Sequence, residues 1–198
     1  MMEAYLRATD IIDWQHPAVF QRAQQLAEAS QSPHEIVRRC FEWVRDEIKH
    51  SNDYQLNPVT CTASEVLAAG TGFCYAKSHL LAALLRANQI PTGLCYQRLS
   101  LDGERAPFCL HGLNAVWLAD VGWYRLDPRG NKPGVNTQFT PPIEQLAFPI
   151  QIAGEADLPE IWPDPLPIVV QSLCTYKTYD ALLASLPDLP LIAPFAGG

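Results

Sequence analysis

The sequence lacks the features that mark several large classes of protein. It has no apolar run long enough to cross a bilayer, and its N-terminal segment lacks the apolar stretch of a signal peptide. It also lacks a run of lysine and arginine, and its net charge of −7 argues against a nucleic-acid-binding surface. We therefore expect a soluble cytoplasmic protein that binds neither nucleic acid nor membrane.

The six cysteines form no CxxC pair and no compact cluster with histidine. They are Cys40, Cys61, Cys74, Cys95, Cys109 and Cys174. This spacing predicts no metal site, the sequence calls for no cofactor, and without an export signal the thiols are expected to be reduced. The 198 residues, 48% of them hydrophobic, suit one domain with a substantial core.

The first half of the chain is rich in helix signals. Apolar spacing predicts a helix over residues 17–29, and a Ser-Pro-His-Glu start predicts a second over residues 32–48. Residues 49–61 are polar and are predicted to form a loop. Residues 62–70 open with the capping box Thr-Ala-Ser-Glu and end on a glycine, and a leucine-rich helix follows over residues 74–90.

Beyond Pro91 the sequence takes on the pattern of β-strands. Residues 93–101, 111–119 and 123–127 favour strands, with a three-residue hairpin turn at 120–122. Helices followed by an antiparallel sheet are typical of the α+β class.

The last third of the chain is rich in proline. Seven prolines lie between Pro141 and Pro167, which predicts extended coil on the surface, and TYDALLASL predicts a short final helix. We therefore expect a single domain over residues 1–198. Its core is predicted at about 32–131, followed by a wrapping tail at 132–198.

Cys74 differs from the other cysteines because it follows a glycine-rich turn and opens a helix. The N–H groups and dipole of a helix N-terminus stabilise a thiolate and an oxyanion. On a helical wheel Cys74 lies with the leucines on the core side, whereas His79 lies opposite and is a poor partner. Lys77, one turn along, is predicted to be solvated. A buried cysteine acting as a small hydrophobe is the simpler interpretation of this helix start alone.

A nucleophilic thiol needs a base, and the base needs an orienting group. His111 opens one predicted strand and Asp127 ends the next, and a turn of odd length places both on one face of the hairpin. An ideal turn pairs Asp127 with Ala115, about 13 Å along the strand from His111, so contact requires a bulge or a wider loop. Three other histidines are most simply surface residues: His16, His34 and His50.

Two segments resemble the transglutaminase-like superfamily. GTGFCYAKSHLLAALLRANQIPTGLCYQ is similar to its cysteine segment, and HGLNAVWLADVGWYRLDPRGN is similar to its His/Asp segment. The resemblance covers about residues 60–131 and identifies Cys74 as the nucleophile, His111 as the general base and Asp127 as the residue that orients it. It implies a papain-like cysteine proteinase core, with the nucleophile helix packed on an antiparallel sheet that brings His111 beside Asp127.

The chain departs from the family pattern in three respects. Leu113 stands where an aromatic residue is common, two positions after the histidine. The second oxyanion donor, which the family takes from a side chain upstream of the cysteine, is open among His50, Tyr54, Gln55 and Asn57. The chain is also too short for the accessory β-domains and calcium sites of animal transglutaminases.

The resemblance implies thiol-dependent acyl transfer on an amide or peptide bond of a peptide or protein substrate. Family analogy favours hydrolysis, as a peptidase or amidase, and the alternative is a protein-glutamine transglutaminase or another acyltransferase. A different class of alternative is a catalytically silent papain-like binding domain, for which residues 161–165 are a candidate partner surface. The sequence leaves the substrate, the acyl acceptor and the oligomeric state open.

Overall fold

The structure is a computed structural model that describes residues 2–30 and 32–191. Its helices are α1 (Pro17–Ala27), α2 (Pro33–Glu47), α3 (Ser51–Tyr54), α4 (Ala63–Ala69), α5 (Cys74–Ala87), α6 (Pro167–Thr175) and α7 (Tyr179–Leu183). Its strands are β1 (Lys49–His50), β2 (Thr71–Gly72), β3 (Thr92–Ser100), β4 (Phe108–Leu118), β5 (Gly122–Leu126), β6 (Gln138–Thr140), β7 (Ile143–Gln145) and β8 (Ala156–Asp157). The predicted α+β class is confirmed. The end of the predicted tail, residues 192–198, lies outside the described residues.

Two helices begin at the residues that their capping signals predicted. The Ser32 side chain accepts a hydrogen bond from the Glu35 N–H at the start of α2. Thr62 and Glu65 form a complete capping box at the start of α4, and Gly70 ends that helix with a φ of +65°. Such caps are local contacts between near neighbours in sequence, and for this reason the sequence alone locates them.

Helix α5 lies at the centre of the fold and is buried along its whole length. Helices α1, α2 and α4 pack on it from one side, and strands β3 and β4 pack on it from the other. Because the helix is covered on every side, polar side chains that face away from the leucines are buried as well. His79 donates through Nδ1 to the Cys61 carbonyl at 2.8 Å, and burial lowers its pKa to about 4.

The prediction that Lys77 is solvated was wrong. Its side chain is fully buried, and Nζ donates to the carbonyl oxygens of Arg45, at 3.2 Å, and Ile48. Both carbonyls lie where α2 ends, so the amine satisfies backbone acceptors that the helix leaves open. Burial lowers the pKa of Lys77 to about 7. The lysine therefore joins α5 to α2 beneath the site.

The segment at 49–61 was predicted to be a loop, but it contains β1 and α3. Strand β1 pairs in parallel with β2, so that His50 lies opposite Gly72. A two-residue strand is too short to show an alternating pattern, which explains why the sequence did not reveal it. The pairing buries His50, contrary to the prediction of a surface residue. It also fixes His50 beside the turn that leads into α5.

The main sheet has the strand order β5-β4-β3-β8 and is antiparallel. The β4–β5 register runs from Leu118 opposite Gly122 to Asn114 opposite Leu126. The ideal register predicted for this hairpin was therefore wrong by two residues, because the turn lies one position earlier than predicted. The shift moves Asp127 towards His111 and places it just after the last strand pair.

The proline-rich region is largely coil, as predicted, and the final helix is confirmed as α7. Helix α6 was not predicted, because its apolar sequence between proline residues lacks a clear helical period. Trp162 exchanges backbone hydrogen bonds with Leu94 of β3 at 2.9 and 2.8 Å, so residues 161–165 pack on the chain's own sheet. Across the described residues, every helix is too short or too polar to cross a membrane.

Candidate active site

Cys74 is the first residue of α5, and its side chain is 7% exposed. Phe73, the N-cap residue, gives the helix start no side-chain hydrogen bond. The first N–H groups of the helix are therefore directed at the region around the sulfur, where they favour negative charge. The backbone N–H of Gly112, on β4, donates to Cys74 Sγ at 3.5 Å. The thiol thus lies where the helix start meets the sheet.

This contact between helix and strand depends on Gly112 having no side chain. A Cβ atom at position 112 would lie 2.9 Å from Tyr75 Cδ1, 3.1 Å from Tyr75 Cα and 3.3 Å from Tyr75 N. Two of these atoms belong to the backbone of the residue that follows Cys74. They cannot move away without moving the helix start.

Replacing Gly112 with alanine is therefore expected to lower kcat/KM by roughly tenfold, because contacts this short displace the helix start by a few tenths of an ångström and a misplacement of about 1 Å costs about 100-fold. The comparison variant is Gly122→Ala, at the start of β5 after the turn from β4, where a Cβ makes only an ordinary contact with Trp117 at 3.8 Å but the φ of +87° strains an alanine, so that it separates a loss of stability from a shift of the helix start. Kinetics of both purified variants, measured with thermal unfolding, check the prediction. Wild-type kcat/KM in Gly112→Ala would show that the helix–strand distance does not matter.

His111 and Asp127 are in direct contact. His111 Nε2 lies 2.7 Å from Asp127 Oδ2, and both side chains are buried. Asp127 also accepts hydrogen bonds from the backbone N–H groups of Arg129, at 3.1 Å, and Ala147, at 3.2 Å. These bonds hold the carboxylate in place and leave Nδ1 of the imidazole for the thiol of Cys74. The structure therefore brings together all three residues that the resemblance singled out.

The electrostatics of the pair favour its charged form. Burial alone would lower the pKa of His111, but the charges of Asp127 and Cys74 and hydrogen bonds to both raise it to about 10. Burial alone would raise the pKa of Asp127, but His111 and the two backbone N–H groups lower it. These surroundings therefore favour a protonated His111 at neutral pH, and the imidazole lies between the Asp127 carboxylate and the sulfur of Cys74, the group that can supply the proton.

An aromatic ring covers His111 even though Leu113 stands where the family has an aromatic residue. Phe148 packs against the imidazole in a T-shaped arrangement, with the ring centroids 5.1 Å apart. The Arg129 guanidinium lies 5.4 Å from the centroid of the same phenyl ring. Phe148 follows the residue whose N–H binds Asp127, so one short segment both fixes the carboxylate and covers the histidine.

The structure separates the four candidates for the second oxyanion donor. Tyr54, Gln55 and Asn57 are exposed, whereas His50 is buried and lines the same cavity as Cys74. The rings of His50 and Phe73 pack in a T-shaped arrangement, with the centroids 5.7 Å apart. Burial, together with the charge of Arg129, lowers the pKa of His50 well below its usual value. His50 is therefore neutral at neutral pH.

Asp53 holds the groups around His50 in place. Its carboxylate binds the Arg129 guanidinium at 2.7 and 3.0 Å and Lys132 Nζ at 2.6 Å, and it lies 3.8 Å from His50 Nδ1. Those hydrogen bonds lower the pKa of Asp53 to about 2, even though burial opposes the shift. No local pattern in the sequence reveals this cluster, because Arg129 and Lys132 lie more than 70 positions along the chain from Asp53.

The side chains surround a cavity of about 590 Å³. Cys74 and His111 face it, together with His50, Phe148 and Arg129. Among the described residues, no group of three or more His, Cys, Asp or Glu side chains could hold a metal ion. A thiol and two imidazoles therefore line the cleft, and the Asp127 carboxylate lies buried behind His111.

A thiol at the start of a buried helix, facing a histidine and a carboxylate carried by an antiparallel sheet, defines a papain-like core. The chain belongs to the transglutaminase-like superfamily, whose family model matches residues 21–128. That range contains Cys74, His111 and Asp127. Family and fold are thus established together.

Two solved structures are similar to this chain. A candidate cysteine protease from Cytophaga hutchinsonii is 15% identical, with a TM-score of 0.52, over 65% of this chain and 42% of that one. The periplasmic domain of TgpA from Pseudomonas aeruginosa is 21% identical, with a TM-score of 0.46, over 63% of this chain and 45% of that one. The chain thus spans less than half the length of each structure. No curated protein sequence matches it.

Proposed function

We propose that the protein is a cysteine-dependent enzyme that breaks an amide or peptide bond and transfers the acyl group to water. One observation carries the proposal. Cys74, at the start of α5, lies beside a buried His111–Asp127 pair in which Nε2 and Oδ2 are 2.7 Å apart. A nucleophile, a base and an orienting group in this order are the parts that thiol-dependent acyl transfer needs. The choice of water as acceptor rests on family analogy.

In the proposed mechanism, His111 takes the proton of Cys74 through Nδ1, and the raised pKa of His111 favours the resulting ion pair. The thiolate attacks the carbonyl carbon of the substrate and forms a tetrahedral intermediate. The C–N bond then breaks, and His111 gives its proton to the leaving amine. Water, deprotonated by His111, attacks the thioester and releases the carboxylic acid and the free thiol. Asp127 orients the imidazole throughout and stabilises its charge.

The oxyanion of the intermediate needs hydrogen-bond donors. The backbone N–H of Cys74 is the first, because it lies at the helix start, and we propose that the neutral His50 ring supplies the second. His50 is held near the helix start because β1 pairs with the residues just before Phe73, and its ring lines the same cavity as Cys74.

Replacing His50 with alanine is expected to lower kcat by roughly 100- to 1,000-fold with a small change in KM, because the lost hydrogen bond forms mainly in the transition state. His50→Gln keeps an N–H donor and should recover part of the rate. Tyr54→Phe, at an exposed candidate position, should behave as wild type. An equal kcat in His50→Ala and wild type would remove His50 from the oxyanion site.

Substrate and compartment belong to the same proposal. A thiol nucleophile must stay reduced, which favours the cytoplasm. The cleft is large enough for several residues of a chain, which favours a peptide or protein substrate. The proposed steps use only protein groups and water.

The acyl acceptor is tested by incubating the enzyme with a peptide library in ¹⁸O-labelled water that also contains a primary amine. Hydrolysis places ¹⁸O in the new carboxyl group, whereas transfer attaches the amine, and mass spectrometry separates the two products. We expect ¹⁸O in the products of wild type and none with Cys74→Ser. Products that carry only the amine would favour the transglutaminase alternative. Absence of both products would favour a silent binding domain.

A further inference from the structure

The C-terminal part of the chain crosses the cleft from one wall to the other. Helix α7 packs against α3, which directly follows His50. The Tyr179 N–H donates to Asn57 Oδ1 at 2.8 Å and fixes the start of α7 to that wall. After α7 the chain turns towards the sheet, and Leu183 and Leu186 line the cavity that contains Cys74.

On the other wall, this segment binds the edge of β4. Strand β5 covers β4 only from Asn114 to Leu118, so the half of β4 that carries His111 extends beyond β5. On this edge, which β5 leaves unpaired, the Leu110 N–H donates to the Pro187 carbonyl at 2.7 Å. The segment therefore occupies a backbone donor that an extended peptide would otherwise use.

The hydrogen bond between Leu110 and Pro187 lies a short distance along β4 from the sulfur of Cys74. Successive N–H groups on one edge of a strand are two residues apart, which is about 7 Å. The N–H of Gly112 touches Cys74 Sγ, and the N–H of Leu110, the next donor on that edge, is bound to Pro187. The chain's own carbonyl thus lies one such step from the sulfur, which leaves room for roughly two substrate residues on that side.

An ion pair secures the segment beyond Pro187. Arg98, on β3, binds Asp188 through two parallel hydrogen bonds, Nε to Oδ1 and Nη2 to Oδ2, both at 2.7 Å. The same guanidinium lies 4.1 Å from the Phe108 ring centroid and donates to the Gly154 carbonyl at 2.8 Å. The paired side chains are largely buried, with 12% and 29% exposed. A forked, partly buried pair is a much stronger attachment than an exposed one.

We infer that residues 183–188 form a strap that closes one end of the cleft, so that the enzyme acts near the end of a peptide chain and not within it. The inference rests on the proposed function, because it names the substrate class of the same site. The strap determines specificity and takes no part in the chemical steps. Detaching it from Arg98 should open the cleft to longer chains.

The strap is tested with charge variants of its ion pair. Asp188→Arg places two guanidinium groups together and should release the strap, and Arg98→Asp should do the same with two carboxylates. The double variant, Arg98→Asp with Asp188→Arg, restores opposite charges and should restore wild-type behaviour. Asp120→Arg is the control, because it breaks an exposed pair with His34 at the turn end of β4, away from His111.

The first readout is alkylation of Cys74 by two reagents, iodoacetamide and an iodoacetylated lysine in the middle of a ten-residue peptide. In each single variant, the ratio of the peptide-reagent rate to the iodoacetamide rate should be roughly tenfold higher than in wild type. The double variant and the control should keep the wild-type ratio. The second readout is the set of cleavage positions in a peptide library. Wild type should cut within about two residues of a chain end, and the single variants should also cut internally.

The two readouts separate the strap from the proposed function. A changed alkylation ratio without any cleavage would support the strap and overturn the proposed hydrolysis. Cleavage with the same alkylation ratio and the same positions in all variants would support hydrolysis and overturn the strap. Failure of the double variant to recover the wild-type ratio would also overturn it, because the effect would then not come from the ion pair.

Discussion

Replacing Cys74 with serine is expected to lower kcat/KM by roughly a hundred-thousand-fold or more, which is the scale seen when a nucleophile is lost. The change replaces one atom and should keep the fold. It removes the thiol next to His111 and puts in its place a hydroxyl, which is a much weaker acid and a much weaker nucleophile. Steady-state kinetics check the rate, and denaturant unfolding checks the fold.

The matched control is Cys174→Ser. Cys174 is an exposed cysteine on α6, and its replacement should leave kcat/KM unchanged. A Cys74→Ser variant that kept more than a tenth of wild-type kcat/KM would remove Cys74 from the chemistry. The same result would leave only the family and the fold established.

Replacing Asp127 with asparagine is expected to lower kcat by roughly 10,000-fold, because a neutral amide neither stabilises the imidazolium nor fixes its tautomer. It also removes the charge that raises the pKa of His111 to about 10, so that the pKa should fall. The imidazolium should then be lost at a lower pH than in wild type. NMR titration of His111 and the pH profile of kcat/KM measure both effects.

The same variant should change how stability depends on pH. His111 has a pKa of about 10 in the folded protein and of 6.5 in the unfolded chain. Its protonation therefore stabilises the fold fully below pH 6.5, and this contribution is lost as the pH rises to about 10. In Asp127→Asn the loss of stability between these values should be smaller. Denaturant unfolding at a series of pH values measures the difference.

The control for Asp127 is a second His–Asp pair in the same protein. Asp120 binds His34 at 2.8 Å on the surface, and Asp120→Asn should leave both activity and its pH profile unchanged. A kcat within tenfold of wild type in Asp127→Asn would show that the buried pair only supports the fold.

The sequence predicted the elements whose causes are local. The starts of α2 and α4 follow from side chains that bind backbone N–H groups three residues away, at Ser32 and Thr62. The leucine-rich α5 and the three main strands follow from apolar spacing. Such signals are complete within a short window, so one sequence is enough to find them.

Features that depend on distant contacts were missed or mistaken. Lys77 is buried because the end of α2 packs against α5, and His50 is buried because β1 pairs with β2. The contact of His111 with Asp127 depends on the hairpin register, which an ideal turn misplaced by two residues. The strap depends on bonds between Arg98 and a residue 90 positions away. None of these contacts has a signal in its own neighbourhood.

The most direct test of the central claim is the order in which the cysteines react with iodoacetamide. Cys74 is 7% exposed and Cys174 is exposed, so accessibility alone predicts that Cys174 reacts first. A thiolate paired with the His111 cation predicts the reverse, because the thiolate is the reactive form. Peptide mapping after limiting alkylation at neutral pH should find Cys74 modified before Cys174. Faster modification of Cys174 would contradict a nucleophilic role for Cys74.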